Sequence, residues 1–332
     1  MNDTASTRRT ARLQPDEAGL ARAAALLRDG GLVAFPTETV YGLGADATDG
    51  RAVAGIYAAK ERPSFNPLIA HVPDLAAAQR EGVFGADALA LARAFWPGPL
   101  TLVVPKAPTC SVADLATAGL DSVALRVPAH AIANALLRLV GRPVAAPSAN
   151  RSGRVSPTAA EHVLEDLDGR IDAVVSGGPT EVGVESTIVS CLDGKVTLLR
   201  PGGVARDAIE TALGRGLDEA VFSEADHAPV APGMLASHYA PKAAVRLAAQ
   251  AIRPGEAALL FGPSSPQGAA GAAATANLSP SGDLAEAAAN LFAMLRRLDG
   301  SGAATIAAAP IPDRGLGEAI NDRLRRAAAP RG

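Results

Sequence analysis

Cysteine is nearly absent from this 332-residue chain. Cys110 and Cys191 are the only two, with no CxxC pair and no Cys/His cluster at zinc spacing. That excludes a disulfide scaffold and a structural zinc site. Aromatic residues make up 3% of the sequence, too few for a platform on which nucleic-acid bases would stack. An excess of one charge is missing too: 31 Lys and Arg against 34 Asp and Glu leave a net charge of −3. No whole-molecule basic field exists to hold a polyanion, which would have to meet a local patch. Lysine occurs only at Lys60, Lys106, Lys195 and Lys242, so the positive charge is almost wholly arginine. Apolar stretches such as Leu100 to Val104 and Ala257 to Phe261 fall far short of the roughly 18 residues that span a bilayer. Neither GxxxxGK[ST], GxSxG nor HExxH occurs, and the nearest approach to GxGxxG, GLGADA, follows a polar turn instead of a strand end. A P-loop kinase and a Rossmann dehydrogenase are therefore unsupported.

The remaining composition, 48% apolar and 20% charged with 33 glycines and 25 prolines, is that of a globular chain. At about 150 residues per domain the length predicts two domains. The first 14 residues carry arginines without a following apolar region, so they read as a disordered tail and not a secretory signal, with mitochondrial targeting as the alternative.

From Pro15 onward the apolar spacing alternates between helical and strand periods. DEAGLARAAALLRDGG predicts a helix ended by Gly30 and Gly31, and GLVAFPT a short buried strand. A Gly-rich turn, YGLGAD, leads to a helix over Arg51 to Lys60. The strand PLIAHV, a helix through ALALARAF and the strands LTLVVP and SVALRVP follow. A helix from His130 to Leu139 feeds PVAAPSAN, a strand running into a Pro/Ser/Asn loop. Another helix near Ala159 to Leu167 precedes the strand DAVVSGG, and STIVSCLDGKVTLLRPGG is a hairpin turned by Asp193-Gly194. These elements predict one α/β body over residues 15–215. The proline-rich HAPVAPGMLASHYAPK, which has neither periodicity, marks a linker over 216–243. Residues 244–332 predict a smaller unit whose strand and helix order favours a parallel, Rossmann-like sheet, with 263–281 as a flexible loop.

Chemistry-bearing residues gather at predicted strand ends. Thr37, Glu38 and Thr39 share one turn with Gly42 and Gly44, where hydroxyls and close-approach backbone could meet a phosphate, or the loop could be purely structural. Lys60 and Arg62 stand beside Asn66 just past a helix, with His71 ending the next strand. Phosphate binding and ordinary helix-end solvation are both open. Arg126 alternates out of an apolar strand, either as a clamp on a carboxylate or in an internal salt bridge. Ser148, Asn150, Ser152 and Ser156 crowd a loop shaped by Pro147 and Gly153. They offer donors to phosphate or ribose, or a helix cap at Ser156 or Thr158 supported by Glu161. Ser186 and Arg200 bracket the hairpin, so both ends face one cleft or the hairpin is an ordinary surface one.

Taken in order, PTETVYGLG, KERPSFNPL, SVALRVP, APSANRSGRVSPT, VESTIV and LLRPGG resemble the YrdC-type threonylcarbamoyl-AMP synthases. HYAPK and PDRGLGEAINDRL look like the longer, two-domain form. The resemblance covers roughly residues 15 to 328. It implies a YrdC-like twisted mixed sheet flanked by helices around a deep, positively lined cavity, plus a smaller C-terminal Rossmann-like parallel α/β domain.

The implied reaction joins L-threonine, bicarbonate or CO2, and ATP into threonylcarbamoyl-AMP and pyrophosphate. Separate tRNA threonylcarbamoyl transferase proteins would act downstream. Carried over by the resemblance, Thr39, His71, Arg126, the backbone around Ala146 and Ser186 would hold threonine. Arg62, Asn66, Ser122, Ser148, Ser156 and Arg200 would hold ATP, with Lys60 and Arg62 placing charge near the phosphates and Tyr239 covering the nucleotide from the linker. Threonine is also common in the family at the position of Ser122. Mg2+ is expected on the triphosphate, held mostly by ATP and water, with Glu38 and Glu185 as outer contacts. A cytoplasmic enzyme with no membrane association and no direct stable nucleic-acid binding is expected. The competing readings are an RNA-binding module and a carbamoyl-adenylate-forming enzyme of another pathway.

Overall fold

The computed structural model describes residues 9–62, 66–219 and 238–330. In them the chain builds two separate sheets. The first unit runs β1 (Ala11–Leu13), α1 (Glu17–Arg28), β2 (Val33–Pro36), β3 (Tyr41–Asp46), α2 (Gly50–Lys60), β4 (Ile69–His71), α3 (Leu75–Glu81) and α4 (Ala86–Phe95). It continues with β5 (Leu100–Pro105), β6 (Ser122–Arg126), α5 (Ala131–Val140), β7 (Val144–Ala145), α6 (Ala160–Leu167), β8 (Ala173–Val175), β9 (Thr187–Leu192), β10 (Lys195–Arg200) and α7 (Arg206–Leu213). The second holds β11 (Ala244–Arg246), β12 (Ala257–Leu260), β13 (Thr275–Asn277), α8 (Leu284–Asp299), β14 (Thr305–Ala308) and α9 (Leu316–Ala328).

Ten strands of the first unit form one mixed sheet in the order β1-β8-β2-β3-β7-β4-β6-β5-β9-β10. The second unit has an all-parallel sheet in the order β11-β14-β12-β13, the Rossmann-like arrangement that the sequence pattern predicts. Local chemistry fixes many element ends. Asp16 caps α1 by accepting from the Gly19 amide at 2.8 Å, and Asp193 and Gly194, both at positive φ, turn the β9–β10 hairpin.

Three expectations need correcting. YGLGAD is not a turn but the fully buried strand β3, paired antiparallel with β2. Its glycines allow close packing: a Cβ on Gly44 would lie 2.8 Å from the Phe35 ring and 3.1 Å from the Val33 carbonyl oxygen. Residues 11–13, expected in a disordered tail, form β1 and pair in parallel with β8. Within 263–281, expected as a flexible loop, lie a 3₁₀ turn at Ala269–Gly271 and the strand β13.

Residues 220–237, most of the expected linker, lie outside the described residues. Chain on either side of them joins a shared apolar cluster: Val40, Val155 and Val184 of the first unit pack with Tyr239, Leu291, Phe292 and Ile320. Among the described residues no helix is long and apolar enough to cross a membrane.

Candidate active site

Strand register assembles the site. Parallel pairing of β4 with β6 sets His71 opposite Arg126 at the ends of their strands. The β2–β3 tip is locked by Thr37, whose hydroxyl donates to the Val40 carbonyl at 2.7 Å, and presents Glu38 and Thr39 beside them. Chain leaving β7 supplies Ala146, Pro147 and Ser148. Parallel pairing of β5 with β9 brings Thr101 to Ser186, whose hydroxyls share a 2.8 Å hydrogen bond. Arg200, at the end of β10, closes that side by donating to the Ser186 carbonyl at 2.8 Å and to its hydroxyl at 3.2 Å. One cleft thus collects Thr39, Arg62, His71, Arg126, Ala146, Ser148, Ser186, Arg200 and Tyr239 from distant segments.

Among the described residues the cleft is electropositive, because its cations outnumber the carboxylates that reach it. Arg126 is ion-paired to Glu38 at 2.8 Å and donates to the Thr39 hydroxyl at 3.0 Å, so it both faces the cleft and forms the internal salt bridge. Burial alone would raise the Glu38 carboxyl, but Arg126 together with backbone hydrogen bonds from Glu38 and Ala129 outweighs it and holds the group below the ordinary carboxylate range. Arg62 meets only backbone carbonyls among the described residues, those of Asn66 at 3.4 Å and Pro67 at 3.3 Å, and its buried Nε has no hydrogen-bond partner there. Burial pulls it down to about 10, still charged at neutral pH. The histidines add no charge. Burial and then Arg126 push His71 down to about 3, and burial with Arg62 and Lys60 takes His238 well below the ordinary histidine value.

Other expected site residues stand back from the cleft. Lys60 is fully buried, and its ammonium donates to the Ser148 carbonyl at 2.5 Å and to that of Asn150. It anchors the Pro147–Asn150 loop from behind. Ser156 is equally buried and donates to Glu185 at 2.5 Å. The helix cap considered for it is not made, since α6 is capped at Ala159 without a side-chain bond. Asn66 is buried outside the cleft wall, with an unpartnered Oδ1 among the described residues. Ser122 opens β6 at the opposite end from Arg126, about 13 Å away at roughly 3.3 Å per residue.

Two residues have a larger part in the cleft than the sequence suggested. His238 lines it directly beside Tyr239, with ring centroids 4.0 Å apart. Its place in HYAPK next to Tyr239 was the available signal. Arg323, in the second unit, pairs with Glu185 at 2.7 Å, and no spacing in α9 distinguishes it from a solvated helix arginine. The cavity that His238 and Tyr239 help to line measures about 40 Å³. Among the described residues no group of three His, Cys, Asp or Glu is arranged for a metal ion. Glu38 and Glu185, the two carboxylates at the site among the described residues, are each committed to an arginine, so that donor set does not fit a resident metal cage.

Comparison with known proteins bears on this geometry. A family model for Sua5, YciO and YrdC, described as telomere recombination, matches residues 25–202. A second, described as the threonylcarbamoyl-AMP synthase C-terminal domain, matches residues 204–329. The threonylcarbamoyl-AMP synthase of Bacillus subtilis (strain 168) is 43% identical, over 97% of this chain and 96% of its own. That of Pyrococcus abyssi is 42% identical, over 92% of both. The crystal structure of P. abyssi Sua5 complexed with L-threonine superposes with a TM-score of 0.85 at 39% identity, covering 96% of this chain and 97% of that one.

Proposed function

The chain belongs to the threonylcarbamoyl-AMP synthase family in its two-domain form, and from that premise we infer how its cleft carries the reaction. It is an L-threonylcarbamoyladenylate synthase, a nucleotidyltransferase that serves tRNA modification. The observation that carries the residue assignment is the convergence of Arg62, Arg126 and Arg200 with the hydroxyls of Thr39, Ser148 and Ser186 in one buried cleft. Three guanidinium groups converging on one cleft, Arg126 with Glu38 beside it, suit two anionic substrates brought together.

In this reading the threonine carboxylate lies against Arg126, beside Thr39, neutral His71, the Ala146 backbone and Ser186. The triphosphate lies along Arg62, Ser148 and Arg200, with Tyr239 over the nucleotide. Asn66, Ser122 and Ser156, set back from the cleft wall, would reach ATP only after rearrangement. Lys60 contributes by fixing the loop that carries Ser148. Mg2+ arrives as part of the Mg–ATP substrate, consistent with carboxylates already engaged by arginine.

The threonine amine adds to CO2 to give a carbamate. A carbamate oxygen then attacks the α-phosphorus and pyrophosphate leaves, so no protein nucleophile is needed. Positioning and charge neutralisation supply the acceleration. The product passes to separate tRNA threonylcarbamoyl transferase proteins, in the cytoplasm and without stable nucleic-acid binding by this chain.

The test is to incubate purified protein with ATP, bicarbonate and isotope-labelled threonine and to look for the mixed anhydride by mass spectrometry. Pyrophosphate and threonylcarbamoyl-AMP forming together is the expected result. ATP cleavage that ignores threonine would overturn the assignment.

A further inference from the structure

The second unit reaches the cleft wall through a buried cation. Arg323 of α9 is wholly inaccessible to solvent. Its Nε donates to Glu185 at 2.7 Å, and its two other nitrogens reach the Pro201 carbonyl at 3.0 Å and Asp322 at 2.5 Å. Glu185 precedes Ser186 in the cleft wall and accepts the Ser156 hydroxyl.

The same guanidinium lies 5.1 Å from the centroid of the Tyr239 ring, within cation–π range. That ring also stacks on Phe292 of α8, at 5.6 Å between centroids and 27° between planes. Two residues of the second unit therefore grip Tyr239. Its backbone sits at φ +61, a region unfavourable to a bulky side chain unless the surroundings impose it. A cavity of about 40 Å³ cannot receive a nucleotide, for which pockets of several hundred Å³ are usual. On the reading of the cleft as the ATP site, seating ATP moves the Tyr239 ring outward from its present place, to lie over the nucleotide.

We propose that Arg323 is a positioning residue for the synthesis: by holding the Tyr239 ring in the cleft it sets the apparent affinity for ATP. This rests on the reading of the cleft as the ATP site. A ligand that needs the ring displaced binds with its intrinsic affinity scaled by the fraction of molecules in which the ring is already displaced. Weakening the grip enlarges that fraction, so ATP binds more tightly. Loss of a merely structural arginine gives the opposite sign, because a disordered cleft binds more weakly.

The full-length protein, Arg323→Gln and Phe292→Leu are compared for the Kd of a non-hydrolysable ATP analogue and of threonine by calorimetry. Phe292→Leu loosens the same ring without a change of charge, and keeps the test in force if Arg323→Gln, which strips Glu185 of its ion pair, does not fold. The chain has three tyrosines, so 3-fluorotyrosine labelling gives three fluorine NMR signals, and Tyr239→Phe assigns the one of interest. The expected result for each folded variant is about tenfold tighter binding of the analogue, a shifted or broadened Tyr239 signal, and threonine binding within about twofold of the parent. Unchanged or weaker analogue binding, or an unmoved Tyr239 signal, overturns the proposal. If the parent binds no ATP analogue, the ATP reading of the cleft fails, and the fluorine spectra alone decide whether Arg323 holds the ring.

Discussion

Arg126 and Arg62 stand in the cleft in different electrostatic states. Arg126 has Glu38 beside it, both groups almost wholly buried, whereas Arg62 has backbone carbonyls alone among the described residues. Arg126→Ala should weaken threonine binding by about 1.5–3 kcal/mol. It should also lower the melting temperature, because Glu38 is left buried without its counter-charge. Arg62→Ala should cost a similar amount in ATP binding with little change in melting, since among the described residues no ion pair is lost. Calorimetric titration and thermal melts on both variants check this, and a reversed substrate pattern would exchange the two subsites. His71 sets a pH dependence. Folded at about 3 against an ordinary 6.5, it leaves the unfolded chain binding the extra proton between those values. Stability is therefore full above about pH 6.5 and falls as the pH drops toward 3, by on the order of 2 kcal/mol between pH 6.5 and 5. Melts at pH 7 and pH 5 should show a smaller drop for His71→Gln than for the parent. At this scale Arg126, His71 and Ser186 were legible in the sequence as polar residues ending apolar strands. That Lys60 turns away from the cleft was not, because a lysine at a helix end looks the same whether it meets solvent, phosphate or two carbonyls.

Among the elements, β3 and the end of α2 depend most on single residues. Gly44→Ala should destabilise the protein by about 1–3 kcal/mol, since the added methyl would sit 2.8 Å from the Phe35 ring and 3.1 Å from backbone. Chemical denaturation should show a lowered midpoint with an unchanged slope. Lys60→Met at the end of α2 removes the donor to the Ser148 and Asn150 carbonyls. It should weaken ATP binding through displacement of Ser148 even though the lysine itself stays out of the cleft. Glycine density drew YGLGAD toward a turn in the sequence reading, because glycine marks both turns and tight strand contacts. Only the partner strand tells the two apart. The β9–β10 hairpin was legible because Asp-Gly has one favoured turn geometry, and β13 was not, because a short strand of small residues has no periodic signal to give.

Across the whole molecule, the two units join through apolar packing and, among the described residues, ion pairs of unequal worth. Arg206 meets Glu318 at 2.6 Å on a half-exposed rim, whereas Arg296 is mostly buried against Asp166 at 2.7 Å and also donates to the Val155 carbonyl. Glu318→Gln should change stability by less than about 1 kcal/mol, and Arg296→Ala by several times as much, because Asp166 and a carbonyl lose their donor together. Differential scanning calorimetry of both variants orders them. Division into a larger mixed-sheet unit and a smaller parallel one was readable from the alternation of periods, while the docking of one on the other was not, because Val40, Val155 and Val184 look in sequence like any buried valine.

The facing of His71 and Arg126 across parallel neighbours has a kinetic corollary. Parallel neighbours need a crossover and close late in folding, and a slip of one residue would turn the guanidinium to the other side of the sheet. On dilution from denaturant, helical circular dichroism should therefore return before threonine can bind, and the lag between the two signals would time the assembly of the cleft, that strand pair included.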